Sequence, residues 1–110
     1  MPLDEARQKA LYKLHRDSRE LLDSLADRIS TESLADLRRL SDASEWTELV
    51  NALCAYVVRE RVPVAPAERD AFASVLDLFQ LPADERFTYV NDAEGTLAAL
   101  HVVDEPSGEG

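Results

Sequence analysis

The residues of this chain that are able to carry chemistry are few and scattered. There is one cysteine, Cys54, and there are two histidines, His15 and His101, which lie far apart in the sequence. Zinc sites need such side chains at defined spacings, which do not occur here, and neither histidine lies in a motif typical of a catalytic triad. With only three glycines, the chain also has no Gly-rich phosphate loop. The sequence therefore predicts no enzyme and no metal or cofactor site.

Carboxylates are the most abundant ionisable groups, with 22 Asp and Glu against 12 Lys and Arg and a net charge of -10. Adjacent acids such as Asp84 and Glu85 suggest acid and base catalysis at first sight. They lie, however, at a predicted helix start beside Pro82, where carboxylates interact favourably with the helix dipole. A structural role therefore accounts for this pair without catalysis.

The acidic charge is concentrated in the second part of the chain. Residues 1–40 contain eight acids and eight bases, whereas residues 41–110 contain fourteen acids and four bases, so they carry the whole -10. From Asp70 onward, nine acids are accompanied only by Arg86. Such a field repels nucleic acid and anionic membranes and attracts basic proteins, although acidity also serves solubility. We expect neither a nucleic-acid nor a membrane partner.

The stretch RERVPVAPAERD, residues 59–70, combines six charged residues with two prolines. Pro63 forbids continuation of the helix before it, and Pro66 suits the first turn of the helix after it. Acids such as Glu68 favour that helix start, as arginines favour a helix end. The stretch predicts a structural corner whose charges stabilise helix ends, rather than a charge relay.

Helical periodicity organises most of the chain. Helices are predicted over about residues 4–28, from Thr31 to Asp42, from Glu45 to about Arg61 and from Pro66 to about Gln80. The third begins with a predicted capping box, Asp42 to Glu45, and has the strongest apolar stripe. The predicted core comprises Leu21, Leu25, Leu37, Trp46, Leu49, Leu53, Val57, Phe72, Val75 and Phe79.

The C-terminal part allows two interpretations. Residues 87–90 have strand composition and, turning at Gly95, form a hairpin with residues 96–103 in one of them. In the other, the alanines and leucines of residues 97–100 form a helix capped by Asn91 or Asp92. The predicted fold is an all-α, single-domain bundle of four to five helices over residues 1–105, followed by a disordered tail, residues 106–110.

The composition also indicates where the protein is found. Hydrophobic residues make up 45% and charged residues 31% of the chain, as in globular domains. No apolar run approaches the length that spans a bilayer, and Asp4 and Glu5 do not fit a signal peptide. We expect a cytoplasmic protein.

A resemblance to a known family covers residues from about Leu21 to about Pro82. The order of the capped helix EWTELVNALCAYVVRE, the break RVPVAP, the restart AERDAF and the short LFQLP resembles small helical immunity proteins of bacterial polymorphic-toxin systems, in particular the MafI-type immunity family. The resemblance implies a cytoplasmic, all-helical protein that binds one cognate toxin domain and blocks its active site or its assembly. It assigns no individual contact residues.

Charge and resemblance together predict an immunity protein that neutralises a basic toxin domain through an acidic surface. The side chains expected to bind this partner are Asp77, Asp84, Glu85, Asp92 and Glu94. The alternative is a helical adaptor or structural subunit, in which an apolar groove between the Glu45 and Pro66 helices takes a partner helix. Steered acidic binding is sensitive to salt and groove binding is not, so salt dependence separates the two.

Overall fold

A computed structural model describes residues 2–79 and 87–103 of the chain. The elements in chain order are α1 (Pro2–Leu25), a 3-10 turn (Ala26–Arg28), α2 (Thr31–Asp42), α3 (Trp46–Arg59), β1 (Pro63–Val64), α4 (Pro66–Asp77), α5 (Thr88–Asn91), α6 (Ala93–Ala99) and β2 (His101–Val102). The all-α prediction is confirmed. The described residues add a two-stranded parallel sheet that was not predicted.

The first two helices form where the sequence predicts them. Ser30 is the N-cap of α2, and its hydroxyl accepts the Ser33 N–H at 3.2 Å, which satisfies one of the free amides of the first turn. Leu21, Leu22 and Leu25 form the buried stripe of α1. The 3-10 turn after Leu25 ends α1, so the chain reverses direction and α2 packs back against it.

Helix α3 lies at the centre of the core, as its apolar stripe predicts. Leu49, Leu53, Cys54 and Val57 are at most 1% exposed. Of the ten predicted core residues, eight are buried, and the other two, Trp46 and Phe79, pack against the core while half-buried. Most of the α3 surface therefore serves packing.

The predicted capping box at residues 42–45 is wrong. Helix α2 runs through Asp42, so this side chain belongs to the last turn of one helix and does not cap the next. Ser44 adopts a φ of 62°, in the left-handed region, and turns the chain. Helix α3 starts at Trp46, and its N-cap, Glu45, makes no side-chain capping hydrogen bond.

In the corner between α3 and α4, both prolines have the structural roles that the sequence predicts. Arg61 has a φ of 50°, β1 begins at Pro63, and Pro66 is the first residue of α4. The sequence does not indicate that β1 pairs with β2, with Pro63 opposite His101 and Val64 opposite Val102. This pairing ties the corner to the C-terminal part of the described chain.

The helical interpretation of the C-terminal part is confirmed for residues 93–99. Asp92 is the N-cap of α6, and its carboxylate accepts the Gly95 N–H at 3.1 Å. Residues 88–91 form the single turn α5 rather than a strand, and β2 pairs with β1 rather than within a hairpin. With α5 and α6 counted separately, residues 2–79 and 87–103 form six α-helices, where four to five were predicted. The predicted tail, residues 106–110, lies outside the described residues.

Candidate functional site

Most of the described acids of α1 and α2 that form ion pairs do so with bases of the same two helices. Lys13 Nζ lies 2.8 Å from Asp17, Arg38 lies 3.1 Å from Asp23, and Arg39 pairs with an acid one turn before it. The charges of this part of the surface therefore largely cancel over short distances. This agrees with its balanced count of acids and bases.

The surface formed by residues 70–79 and 87–103 is different. It contains four acids and no Lys or Arg: Asp70, Asp77, Asp92 and Glu94. All four side chains are exposed, and none forms an ion pair with a residue that the structure describes. We call these four residues the acidic surface. The elements that carry these acids contain one base, Arg69, which lies on α4 just before this range.

The predicted partner-binding residues fall into two groups. Asp77, Asp92 and Glu94 belong to the acidic surface, whereas Asp84 and Glu85 lie outside the described residues. Helix α4 begins two residues after β1, and α6 ends two residues before β2. Helix α4 therefore joins the sheet by its N-terminal end, and α6, which packs against α4, joins it by its C-terminal end. Asp77 and Asp92 lie at the opposite ends of these two helices, away from the sheet.

Asp77 is the acid that helix stabilisation does not explain. It is the last residue of α4, at the negative end of the helix dipole, where a carboxylate is unfavourable. Asp92 and Glu94, by contrast, lie at the start of α6, where capping and the dipole favour them. Stabilisation of the helix therefore does not account for an acid at position 77.

Two side chains outside the acidic surface hold α5 and α6 in place. The side-chain oxygen of Asn51, on α3, accepts the N–H groups of Tyr89 at 2.9 Å and Val90 at 3.1 Å. Thr96, which is 3% exposed, donates its hydroxyl to the Tyr89 carbonyl at 2.9 Å. Asn51 thus caps α5 from a helix some 40 residues earlier, and no local pattern signals this contact.

A depression of about 230 Å³ lies beside Asp92 on this surface. It is lined by Thr88, Tyr89, Asp92, Gly95, Thr96 and Ala99. Tyr89 is half-buried, while Asp92 and Gly95 are exposed. Tyr89 and Asp92 therefore border the same depression.

An ionic contact that sequence reasoning missed fixes α4 against the 3-10 turn that follows α1. Arg28 donates to the two carboxylate oxygens of Glu68 at 2.7 and 2.9 Å, across 40 residues of sequence. Glu68 also accepts the Ser24 hydroxyl at 2.6 Å and the Ala65 N–H at 2.8 Å. Arg28 further donates to the Pro63 carbonyl at 2.9 Å. The predicted helix-start role of Glu68 is thus one part of a larger contact.

The environment of Glu68 strongly favours its charged form. Burial by itself would raise the pKa of this carboxyl, but hydrogen bonds from Arg28, Ser24 and the Ala65 amide outweigh burial and lower the pKa to about 2. The side chains of Glu68 and Arg28 are 13% and 20% exposed. This contact sets the position of α4, and hence of the acid at its far end.

The structure has a groove beside α4, but not in the place that the adaptor hypothesis predicts. A groove of about 390 Å³ lies between α1 and α4 rather than between α3 and α4. Six of its nine lining residues are polar or charged, among them Lys13, Asp17 and Glu68. These residues already bond to one another or to neighbouring groups. This groove is therefore not the apolar one that a partner helix would need.

The other reactive side chains serve packing. Cys54 is fully buried, and burial raises the pKa of its thiol to about 12. The His15 ring packs on Trp46, with 5.3 Å between ring centroids. No group of three or more His, Cys, Asp or Glu suited to a metal ion occurs in residues 2–79 and 87–103. In the same ranges, no helix is long and apolar enough to cross a membrane.

Comparisons of the chain with protein-family models, with curated proteins and with solved structures find no match. The function has to be inferred from the charges and geometry of the site.

Proposed function

We propose that this protein is an immunity protein of a bacterial polymorphic-toxin system, which binds a basic toxin domain through its acidic surface. The observation that carries the proposal is the position of Asp77, Asp92 and Glu94: all three are exposed and form no ion pair with a described residue, and Arg69 near the start of α4 is the one Lys or Arg on their helices. The all-helical fold agrees with what the resemblance to MafI-type proteins implies.

The sign of the charge decides the class of partner. Toxin domains that act on nucleic acids have basic surfaces, because their substrates are polyanions. A carboxylate-rich surface attracts such a domain over long range and competes with its substrate. The protein then acts in the cytoplasm as a stoichiometric inhibitor, in which no bond is made or broken.

The rigidity of the surface supports this mode of action. Asn51 and Thr96 fix α5 and α6, and the Arg28–Glu68 contact fixes α4, so the acids do not need to be ordered on binding. A preorganised surface loses less entropy on association, which strengthens binding for a given contact area.

The test is protection of bacterial cells from a candidate toxin domain, which the proposal expects a neighbouring gene to encode. Cells expressing that domain also express the wild type, the triple variant Asp77→Asn, Asp92→Asn, Glu94→Gln, or the control Glu20→Gln, Glu32→Gln, Glu48→Gln. Both variants change the net charge by the same amount, and the control acids are exposed on other helices. Asn at position 92 still caps α6, so the triple variant is expected to fold.

We expect the wild type and the control variant to protect, and the triple variant to protect poorly at equal, folded concentration. Full protection by a folded triple variant would contradict binding through the acidic surface. Failure of the wild type to bind or neutralise the toxin domain would contradict the immunity function itself.

A second function, that of a helical adaptor or structural subunit, is favoured by one observation on α1. Leu11 is 43% and Tyr12 is 69% exposed, and Leu11 borders a depression of about 300 Å³ together with Trp46. Exposed apolar side chains that are close together often mark protein contacts. If the adaptor function holds, Leu11→Ser with Tyr12→Ser abolishes partner binding, and salt has little effect on it.

A further inference from the structure

The outer face of α1 carries its charges in a particular order. Exposed charged side chains recur there every three or four residues, opposite the buried stripe of Leu21, Leu22 and Leu25. In chain order they are three bases and then three acids, the last of which lies in the 3-10 turn: Lys9, Lys13, Arg16, Glu20, Asp23 and Asp27. We call these six residues the charged stripe. Its charges balance in number, but the bases and the acids are segregated along the chain.

Interactions within the helix do not explain this segregation. Lys9 and Lys13 lie one turn apart on the same face, where like charges repel. The last turn of α1 contains the acid Asp23 and no base, although the helix dipole favours bases there. The order of charges therefore runs against what would stabilise α1 by itself.

The ion pairs that the charged stripe makes within the chain leave it open to solvent. Four of its residues form such pairs: Lys13 and Arg16 with Asp17, Asp23 with Arg38, and Asp27 with Arg28. The side chains of these four residues are 49% to 84% exposed. Ion pairs this exposed contribute little, and ammonium, guanidinium and carboxylate groups each bind more than one partner. The charged stripe is therefore able to pair with opposite charges on another molecule.

We propose that two copies of this chain associate through their charged stripes, with the two α1 helices antiparallel. The stripe is symmetric in position about Ser18 and opposite in sign on its two sides. Residues of opposite charge lie nine, five and two positions on either side of Ser18: Lys9 and Asp27, Lys13 and Asp23, and Arg16 and Glu20. In an antiparallel pair centred on Ser18, each base faces an acid of the other copy, and the two-fold axis repeats every contact. The charged stripe is thus complementary to itself, so a second copy is the occupant that its charges specify.

The charge of the rest of the chain also favours α1 as the contact. Residues 1–40 have no net charge, whereas residues 41–110 carry the whole -10. Two copies that meet through α1 therefore keep their acidic parts away from the contact and lessen their mutual repulsion. The charged stripe and the acidic surface share no residue, so this inference does not depend on the proposed function.

The shape of the surface around the charged stripe suits a second helix. The groove of about 390 Å³ between α1 and α4 lies on one side, and a groove of about 360 Å³ extends along α1 from Tyr12 to Asp23 on the other. Glu20 borders both grooves, so the stripe lies between them. Side chains of a neighbouring helix pack into grooves of this kind. Tyr12, which is 69% exposed, lies six residues before Ser18, so the antiparallel arrangement brings it to the level of Asp23 of the other copy.

Charge-reversal variants of the full chain, measured by analytical ultracentrifugation, test this pairing. The first variant, Lys13→Glu with Arg16→Glu, reverses two bases of the charged stripe. The second variant, Glu20→Lys with Asp23→Lys, reverses the two acids that face them. Circular dichroism checks that each variant keeps the helix content of the wild type.

The matched control is Asp70→Lys with Asp77→Lys. It changes the net charge by the same amount as the second variant, at two exposed residues of α4. The control leaves the charged stripe intact, so it should dimerise as the wild type does.

We expect the wild type at about 50 mM salt to approach twice the 12.3 kDa mass of one chain as its concentration rises, and to dissociate at about 500 mM salt. Each charge-reversal variant alone should dimerise at least about tenfold more weakly. An equimolar mixture of the two should form a heterodimer, because the reversed charges again face opposite charges.

A wild type that stays monomeric up to about 1 mM at low salt would overturn the proposal. So would charge-reversal variants that dimerise as well as the wild type, or a control that loses the dimer as the second variant does. A mixture of the two variants that stays monomeric, while both keep their helix content, would also refute the antiparallel pairing.

Discussion

The contact between Arg28 and Glu68 leads to a quantitative prediction about stability. Glu68→Gln removes the charge of the acceptor and one of the two bidentate hydrogen bonds, which measure 2.7 and 2.9 Å. Exposed ion pairs contribute at most about 1 kcal/mol, whereas breaking a buried pair costs about 3 to 5 kcal/mol. With side chains 13% and 20% exposed, this pair is intermediate, so we expect a loss of about 2 kcal/mol.

The pH dependence provides a second readout of the same substitution. The pKa of Glu68 is lowered in the folded state from 4.5 to about 2, so its contribution is present above pH 4.5 and is lost as the pH falls toward 2. The Gln variant has no such titration. The difference in stability between wild type and variant is therefore greatest at neutral pH and shrinks as the pH falls through that range.

Urea unfolding followed by circular dichroism, at pH 7 and at pH 3, measures both effects. At neutral pH, the loss corresponds to a fall in Tm of about 10 °C for a domain of this size. The matched control is Asp70→Asn, an exposed acid on the same helix without an ion pair to a described residue, for which we expect a change within about 0.5 kcal/mol. If Glu68→Gln behaved like this control, or if its effect did not depend on pH, our account of the contact would be wrong.

Three further substitutions or reactions test the core and the support of the acidic surface. Leu53→Ala, at a side chain 1% exposed, should cost about 2 to 5 kcal/mol through lost burial and a cavity, and an unchanged urea midpoint would refute the packing of α3. Asn51→Ala leaves the Tyr89 and Val90 amides without their acceptor and should cost about 1 to 2 kcal/mol of stability. The variant should also show faster amide hydrogen exchange in α5 than in α2, and equal exchange in the two helices would contradict the cap. Cys54 should react with a thiol reagent at pH 7 only after unfolding, because it is buried and its pKa is about 12, so rapid labelling of the native protein would count against its position.

Local patterns predicted the helices well because their causes lie within a few residues. The apolar stripe of α3, the Ser30 cap and Pro66 at the start of α4 all act over one or two turns. The capping box at Asp42 failed although its spacing is correct, because α2 continues through that residue. Spacing alone does not show which of two successive helices a side chain belongs to.

Contacts between distant segments could not be predicted in this way. Arg28 and Glu68 are 40 residues apart, and β1 pairs with β2 only because the chain returns to it after α6. For the candidate site, the acid count located the charge in the C-terminal part. It did not show that Asp92 and Tyr89 border one depression, because that depends on how α5 and α6 pack together.

The association rate between this protein and the toxin domain that it neutralises tests the central claim most directly. Stopped-flow measurements from about 50 to about 500 mM salt, a range over which screening of exposed charges changes greatly, compare wild type with Asp77→Asn. Because Asp77 lies at the negative end of α4, its removal should not destabilise the fold. We predict that the wild-type rate falls about tenfold or more over this range and that the Asp77→Asn rate is lower at low salt. A wild-type rate that does not change with salt and is matched by the variant would contradict binding through the acidic surface.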